Sequence, residues 1–420
     1  MPPQPYLPLV RHQPPRPGPA RRGPVVNGPR LPAARGELSA HVVAALLDGQ
    51  RLDGQRHEEH FHDEQFLDEQ LLHAPPRARL PDATDPYGDD LQLALYLLYE
   101  LHYQGFEGVP DDREWDPGLL AVRRALERRF LGALRRDVPP HGDAGRALAA
   151  LLVEPVGHDD TSVSHHLRRD GELWQFREYA ALRSLYHLKE ADPHAWVIPR
   201  LRGRAKAAMV AVEFDEFGAG RADEIHAVLY AGLMRDLGLE TAYGHYLEAA
   251  PAEALATVNL MSLFGLHRAL RGALVGHFAT VEVTSSPASR RLAAALRRVG
   301  AGAAAQRFYD EHVEADAVHE QVVRREVIGG LLQSEPHLEP DVAFGVHATG
   351  FLEDRLGARL LKAWRQRRSA LRVPLSDDEE GKRPWPKAPR ASTPGGQRPA
   401  EGPQGGGDRR RLRGRPGRGG

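Results

Sequence analysis

The decapeptide EHVEADAVHE (311–320) places His312, Asp316 and His319 at intervals of four and three. An α-helix turns about 100° per residue, so these three side chains fall within an arc of about 60°, one above the other. Two imidazoles and a carboxylate on one face suit Fe(II), Mn(II) or Zn(II). Phe308, Val313 and Val318 stand elsewhere around the same helix, which is therefore not simply polar outside and apolar inside. A strongly charged helix produces such a triplet by chance often enough that the triplet alone does not establish a site.

Three further residues supply the missing context. Glu190 closes the first core helix in YHLKEADP, Glu216 closes the second in VEFDEFGAG, and His226 is read one turn inside the third in DEIHAVLY. Leu188, Phe214, Phe217, Ile225 and Val228 flank them. A bundle must bury those neighbours, and a carboxylate carried inward is costly unless it is paired, hydrogen-bonded or metal-bound. Three carboxylates and three histidines meeting in one helical core are enough for two iron ions.

Helical spacing governs the core. Helices are predicted over 171–190, stopped by Ala-Asp-Pro; over 198–220, opened by Pro199; over 222–239; through the apolar 251–283; over 286–300, opened by a Ser/Pro cap; over 302–334, with a kink at Gly329-Gly330; and over 341–368. No alternating strand pattern occurs, so the fold class is all-α. Upstream, 89–106 and 115–136 read as helices of an accessory segment spanning 86–160, ahead of a core at 161–373. Residues 1–85 are low in complexity and mostly disordered by composition, with one short helix over 37–52. Residues 374–420 form a basic Arg/Gly-rich tail with the same expectation.

With six candidate ligands in hand, a resemblance becomes visible. The order Glu, Glu, His, then His-x3-Asp-x2-His is similar to that of the haem-oxygenase-like diiron oxidases and oxygenases, and in particular to the actinobacterial iron-containing redox enzymes. SLYHLKEADPHAWVIPRL, EFDEFGAGRADEIHAVLYAGLM and FYDEHVEADAVHEQVV carry the likeness, which extends from about residue 90 to 370. It implies a seven-helix haem-oxygenase-like bundle with metal ligands Glu190, Glu216, His226, His312, Asp316 and His319. It further implies two Fe(II)/Fe(III) ions, O2 as co-substrate, and an amino-acid-like or fatty-acid-like small molecule as the oxidised partner, with an external electron donor for sustained turnover. The competing expectation is a metal-free enzyme on the same bundle, like thiaminase or pyrroloquinoline-quinone synthase, which has no use for three inward ligands on one helix.

Composition narrows the rest. The 420 residues contain no cysteine, which excludes disulfides, thiolate-ligated haem, cysteine-held iron–sulfur clusters and cysteine nucleophiles. No apolar run reaches the eighteen or so residues of a membrane span, and no secretory h-region is present, so a cytoplasmic address is expected. The net charge of −1 says little about partners. Only the basic tail offers nucleic acid a surface, and a solvated tail is the favoured reading; a homodimer is compatible with the bundle. Other polar residues read as decoys: HEEHFHDE (57–64) as a solvated stretch, His165 and His166 as capping or surface groups, Glu178 as half of a salt bridge. Glu213 and Asp215 stand as substitutes for Glu216, Glu282 as a pocket residue, and Tyr243, His245 and Tyr246 as turn packing.

Overall fold

The computed structural model describes residues 28–53, 84–138, 142–153 and 157–375. The histidine-rich 57–64 stretch and the chain from 376 onward lie outside them. The described residues all belong to one compact unit. Among the described residues there is no strand, and no helix is long and apolar enough to cross a membrane.

Residues 28–36 run without helix along the bundle, tied by Glu107 N–H to Pro29 O and by an Arg35 guanidinium N–H to Leu247 O at 2.8 Å. Helix α1 (Glu37–Asp53) follows and packs on α2 (Asp89–Glu100). Every residue of α2 from Leu91 to Glu100 is buried, the pattern of a helix enclosed on all sides. Its buried Gln92 is matched: Asn259 donates its amide to Gln92 Oε1 and to Gln92 O, both at 2.8 Å. Helices α3 (Pro117–Asp137), with Asp116 accepting from Leu119 N–H as its N-cap, and α4 (Ala144–Leu151) complete this part.

The core is built from α5 (Val163–Arg169), α6 (Leu173–His187), the single turn α7 (Asp192–Ala195), α8 (Gly203–Glu216), α9 (His226–Asp236), α10 (Ala252–Leu266), α11 (Arg271–Val299), α12 (Ala303–Val322), α13 (Gly329–Ser334) and α14 (Glu339–Arg365). Helix α11 is central and packs against α12, α14 and α5. Two glycines set how closely α14 can approach. A β-carbon on Gly276 would lie 2.0 Å from Val342 O, and one on Gly345 would lie 2.0 Å from Ala273 O. Backbone therefore meets backbone at this crossing, and only glycine fits at either position.

Two of the breaks expected from the sequence are absent or fall elsewhere. The break expected between 283 and 286 is absent, and α11 continues through Pro287. Proline removes one rung of the ladder, but burial against α12 and α5 holds the helix together, and Ser286 Oγ reaches across to Val313 O at 3.2 Å. The kink expected at Gly329-Gly330 comes earlier, as a π-helical segment over Val323–Ile328. Gly330 instead serves a close approach to α8, where an added β-carbon would lie 2.9 Å from Ala205 N.

Candidate metal centre

All six residues singled out in the sequence come together. Glu190, Glu216, His226 and His312 form one buried group, and Glu216, Asp316 and His319 form a second together with Glu282. Within each group one ligand-type atom per residue lies within 4.8 Å of all the others. Glu216 belongs to both.

Local structure explains each placement. Helix α6 ends at His187, earlier than expected, so Glu190 sits in the turn beyond it and not on the helix. Glu216 is the last residue of α8. His226 is the first residue of α9, because Ile225 (φ −57°, ψ 130°) is the non-helical residue before it; the helix opens one turn later than read. Glu282 lies inside α11, and His312, Asp316 and His319 share the inner face of α12.

Orientation is set by partners outside the cluster. His312 donates Nδ1–H to Phe308 O at 2.7 Å, which turns its Nε2 lone pair toward Glu190 Oε1, 3.7 Å away. His319 donates Nε2–H to Asp215 Oδ2 at 3.2 Å. Its Nδ1 then faces Glu282 Oε2 at 3.3 Å, Glu216 Oε1 at 3.5 Å and Asp316 Oδ1 at 3.7 Å. His226 Nδ1 lies 2.7 Å from Glu216 Oε2. His187 Nδ1 is 2.8 Å from Glu190 Oε1. Holding the outer imidazole nitrogen so that the inner one keeps its lone pair is the usual arrangement around a metal.

The inner atoms are otherwise stranded. Glu190 Oε2, His312 Nε2 and Asp316 Oδ2 are buried without a hydrogen-bond partner, and the buried His226 Nδ1, Glu282 Oε2 and His319 Nδ1 face only groups of the cluster itself. Buried polar atoms are rarely left so, and six converging at one point fit a cation that would satisfy them together. Nitrogen and oxygen donors without sulfur suit iron, manganese or zinc.

Without a cation the cluster holds protons instead. Burial pushes the Asp316 carboxyl up to about 6, with Glu216 reinforcing it against His312. Burial likewise pushes Glu282 up to about 8, against the pull of His319. Burial would lower His312, but Glu190, Asp316 and Glu216 outweigh it and bring the imidazole up to about 10. His319 is raised to about 9 in the same way, chiefly by Glu282. Burial also works to raise Glu190, yet the His187 and His312 imidazoles hold its carboxyl well below the ordinary range.

A void of about 40 Å³ lies within the cluster, and a cavity of about 440 Å³ adjoins it. Tyr186, His187, Val281, Ser285 and His312 line both and form the wall between them. The larger cavity runs between α6, α11, α12 and α14, past Tyr179, Tyr309 and the Arg183–Glu353 ion pair, toward Asp159 and Ser162.

The remaining sequence candidates take other places. Glu213 is buried one turn before Glu216, its carboxyl raised by burial, and joins neither group. Asp215 lies outside, 56% exposed, as the partner of His319. Glu178, expected in a salt bridge, accepts from Trp364 Nε1–H at 2.8 Å and Ala370 N–H at 3.0 Å. His165 Nδ1 accepts from Asp159 N–H, and His166 stacks on Trp364. Tyr246 Oη accepts from Glu240 N–H, whereas Tyr243 reaches Glu100 of α2. Glu282 is the one member of the cluster that the sequence reading placed only in the pocket. Its signal is faint: a lone acid in VEV at the end of an apolar stretch of α11.

The sequence profile described as iron-containing redox enzyme matches residues 177–353, a stretch that holds all seven clustered residues. No curated protein matches the chain.

Proposed function

We propose, from the match of residues 177–353 to the iron-containing redox enzyme profile, that the chain is a non-haem diiron oxidoreductase that uses O2 to oxidise a small metabolite. The observation that carries the reading is the sharing of Glu216 by two four-residue groups. One ion would be held by Glu190, His226 and His312 and the other by Glu282, Asp316 and His319, with Glu216 available to both. Four carboxylates bring four negative charges and two divalent ions bring four positive ones, so the buried centre is neutral overall, which offsets the cost of burying either set alone. When bound, the ferrous pair supplies electrons to activate O2.

The protein's own contribution is geometry and dryness. Phe308 O and Asp215 fix the histidine tautomers. Phe278, Val281 and Tyr186 limit water at the cluster. The 440 Å³ cavity would hold an amino-acid-like or fatty-acid-like substrate against the His312 wall. An external electron donor would restore the ferrous state, and a reducing cytoplasm suits that cycle.

Anaerobic Fe(II) loading followed by metal quantification tests this. About two irons per chain are expected, with loss in His312→Ala and His319→Ala. One tightly bound zinc, or no metal, overturns it.

A further inference from the structure

Helix α2 lies outside the matched segment, yet its last residue reaches the metal centre's nearest backbone. Glu100 is fully buried, and its Oε2 accepts from Lys189 Nζ at 2.7 Å. Glu100 Oε1 accepts from Tyr243 Oη at 2.6 Å and from Gln104 N–H at 3.3 Å. The Lys189 ammonium stands 4.3 Å from the Tyr103 ring centre and 5.0 Å from that of Tyr96. Both charges are thus paired and enclosed.

A buried ion pair of this kind adds little net stability over an apolar pair of the same size; its best-attested use is to specify one arrangement. What it specifies here is adjacent in sequence. Lys189 directly precedes Glu190, so one peptide unit sends the ammonium into α2 and the carboxylate into the cluster. The next residue, Ala191, is buried at φ 74°, ψ −35°. An L-residue there is strained and persists only where its surroundings over-determine it. The surroundings are on both sides: Ala191 O accepts from His194 N–H at 2.9 Å and Ala195 N–H at 3.0 Å, while Lys189 is tied to α2.

We infer that Glu100 and Lys189 are positioning residues for Glu190, so that α2 is a working part of the metal centre and not only a cover for the bundle. This rests on the reading that Glu190 holds an ion. Glu190 receives its side-chain partner from His187 but its backbone placement from the tether. Without the tether the strained turn can relax, and the carboxylate loses its fixed approach to the site it shares with His226 and His312.

Lys189→Met alone strands a buried carboxylate and is expected to unfold. The informative variant is therefore Glu100→Gln with Lys189→Met, which removes both charges and keeps a polar group opposite Tyr243. Fold is checked by far-ultraviolet circular dichroism and a cooperative melt. Anaerobic Fe(II) titration, followed by near-infrared circular dichroism of the ferrous ions, then reads each site. One ion is expected to bind as in the parent chain and the other about 10–100-fold more weakly, with the spectrum of one site altered. Tyr243→Phe, which removes only the 2.6 Å hydrogen bond, covers the case of a double variant that does not fold; it is expected to weaken the same ion several-fold. A parent chain with two irons and folded variants that match it at both sites overturns the inference alone. A parent chain that binds no iron overturns it together with the proposed function.

Discussion

The two halves of the cluster use similar side chains and hold them differently. Glu190 and His226 stand where helices end and begin, with His312 facing them from α12. That half is braced by the half-buried His187 on Glu190, by the buried Phe308 O on His312, and by the buried Lys189–Glu100 pair behind the turn. Asp316 and His319 stand on consecutive turns of α12, with Glu282 opposite on α11. Their outer brace is Asp215, whose side chain is 56% exposed. Loop-held ligands need such bracing because no helical ladder fixes their backbone. Helix-held ligands need less, and here they lie one side chain from water. The second half is therefore the side expected to exchange its ion faster.

The largest effect should come from the residue that joins the halves. Glu216→Ala is expected to take iron from about two per chain to nearly none, whereas Glu282→Ala should retain one ion. The check is metal quantification after anaerobic loading and desalting. A Glu216→Ala protein that keeps one ion at parental affinity would break the symmetry of the two groups.

A smaller and one-sided effect is expected at the brace. Asp215→Asn should weaken one ion about 10–100-fold and leave the other unchanged, because it alters only the partner of His319 Nε2. Equal weakening at both sites in a stepwise Fe(II) titration would show that the halves are not independently supported.

The mildest test is pH. In the metal-free protein His312, His319 and Glu282 are raised to about 10, 9 and 8. Each binds its proton more tightly folded than unfolded. The histidine contribution to stability is complete below the ordinary 6.5 and disappears as pH rises through 9 to 10. The Glu282 contribution fades from the ordinary 4.5 up to 8. Glu190, which is lowered, acts in the opposite sense, but only as pH falls below the ordinary 4.5. The melting temperature of metal-free protein should therefore fall from pH 6.5 to 9.5, and Fe(II) binding should release protons, seen as buffer-dependent heats in calorimetry. A rising melting temperature over that range would contradict the protonated cluster.

Legibility followed the range over which each signal acts. His312, Asp316 and His319 were visible because a helical period is local and places all three on one face. Glu190, Glu216 and His226 could be marked as charged groups among apolar neighbours, but their meeting depends on how α6, α8 and α9 pack, and only the resemblance ordered them. Glu282 escaped assignment as a cluster member because its partners lie on another helix and nothing within its own helix repeats. Pro287 misled for the opposite reason. It is a strong local stop, overridden by burial of α11 against α12 and α5. The Lys189–Glu100 pair spans 89 positions, beyond any pattern a sequence window can show.

The glycine crossing of α11 and α14 has a mechanical consequence. Where main chains touch at Gly276 and Gly345, no side chain stands between the two helices to rotate aside, so they are expected to hold their spacing as one rigid pair. At its other end the cavity is lined by Asp159 and Ser162, turn residues beside the short α5, the stretch of its lining with the fewest helical rungs to break.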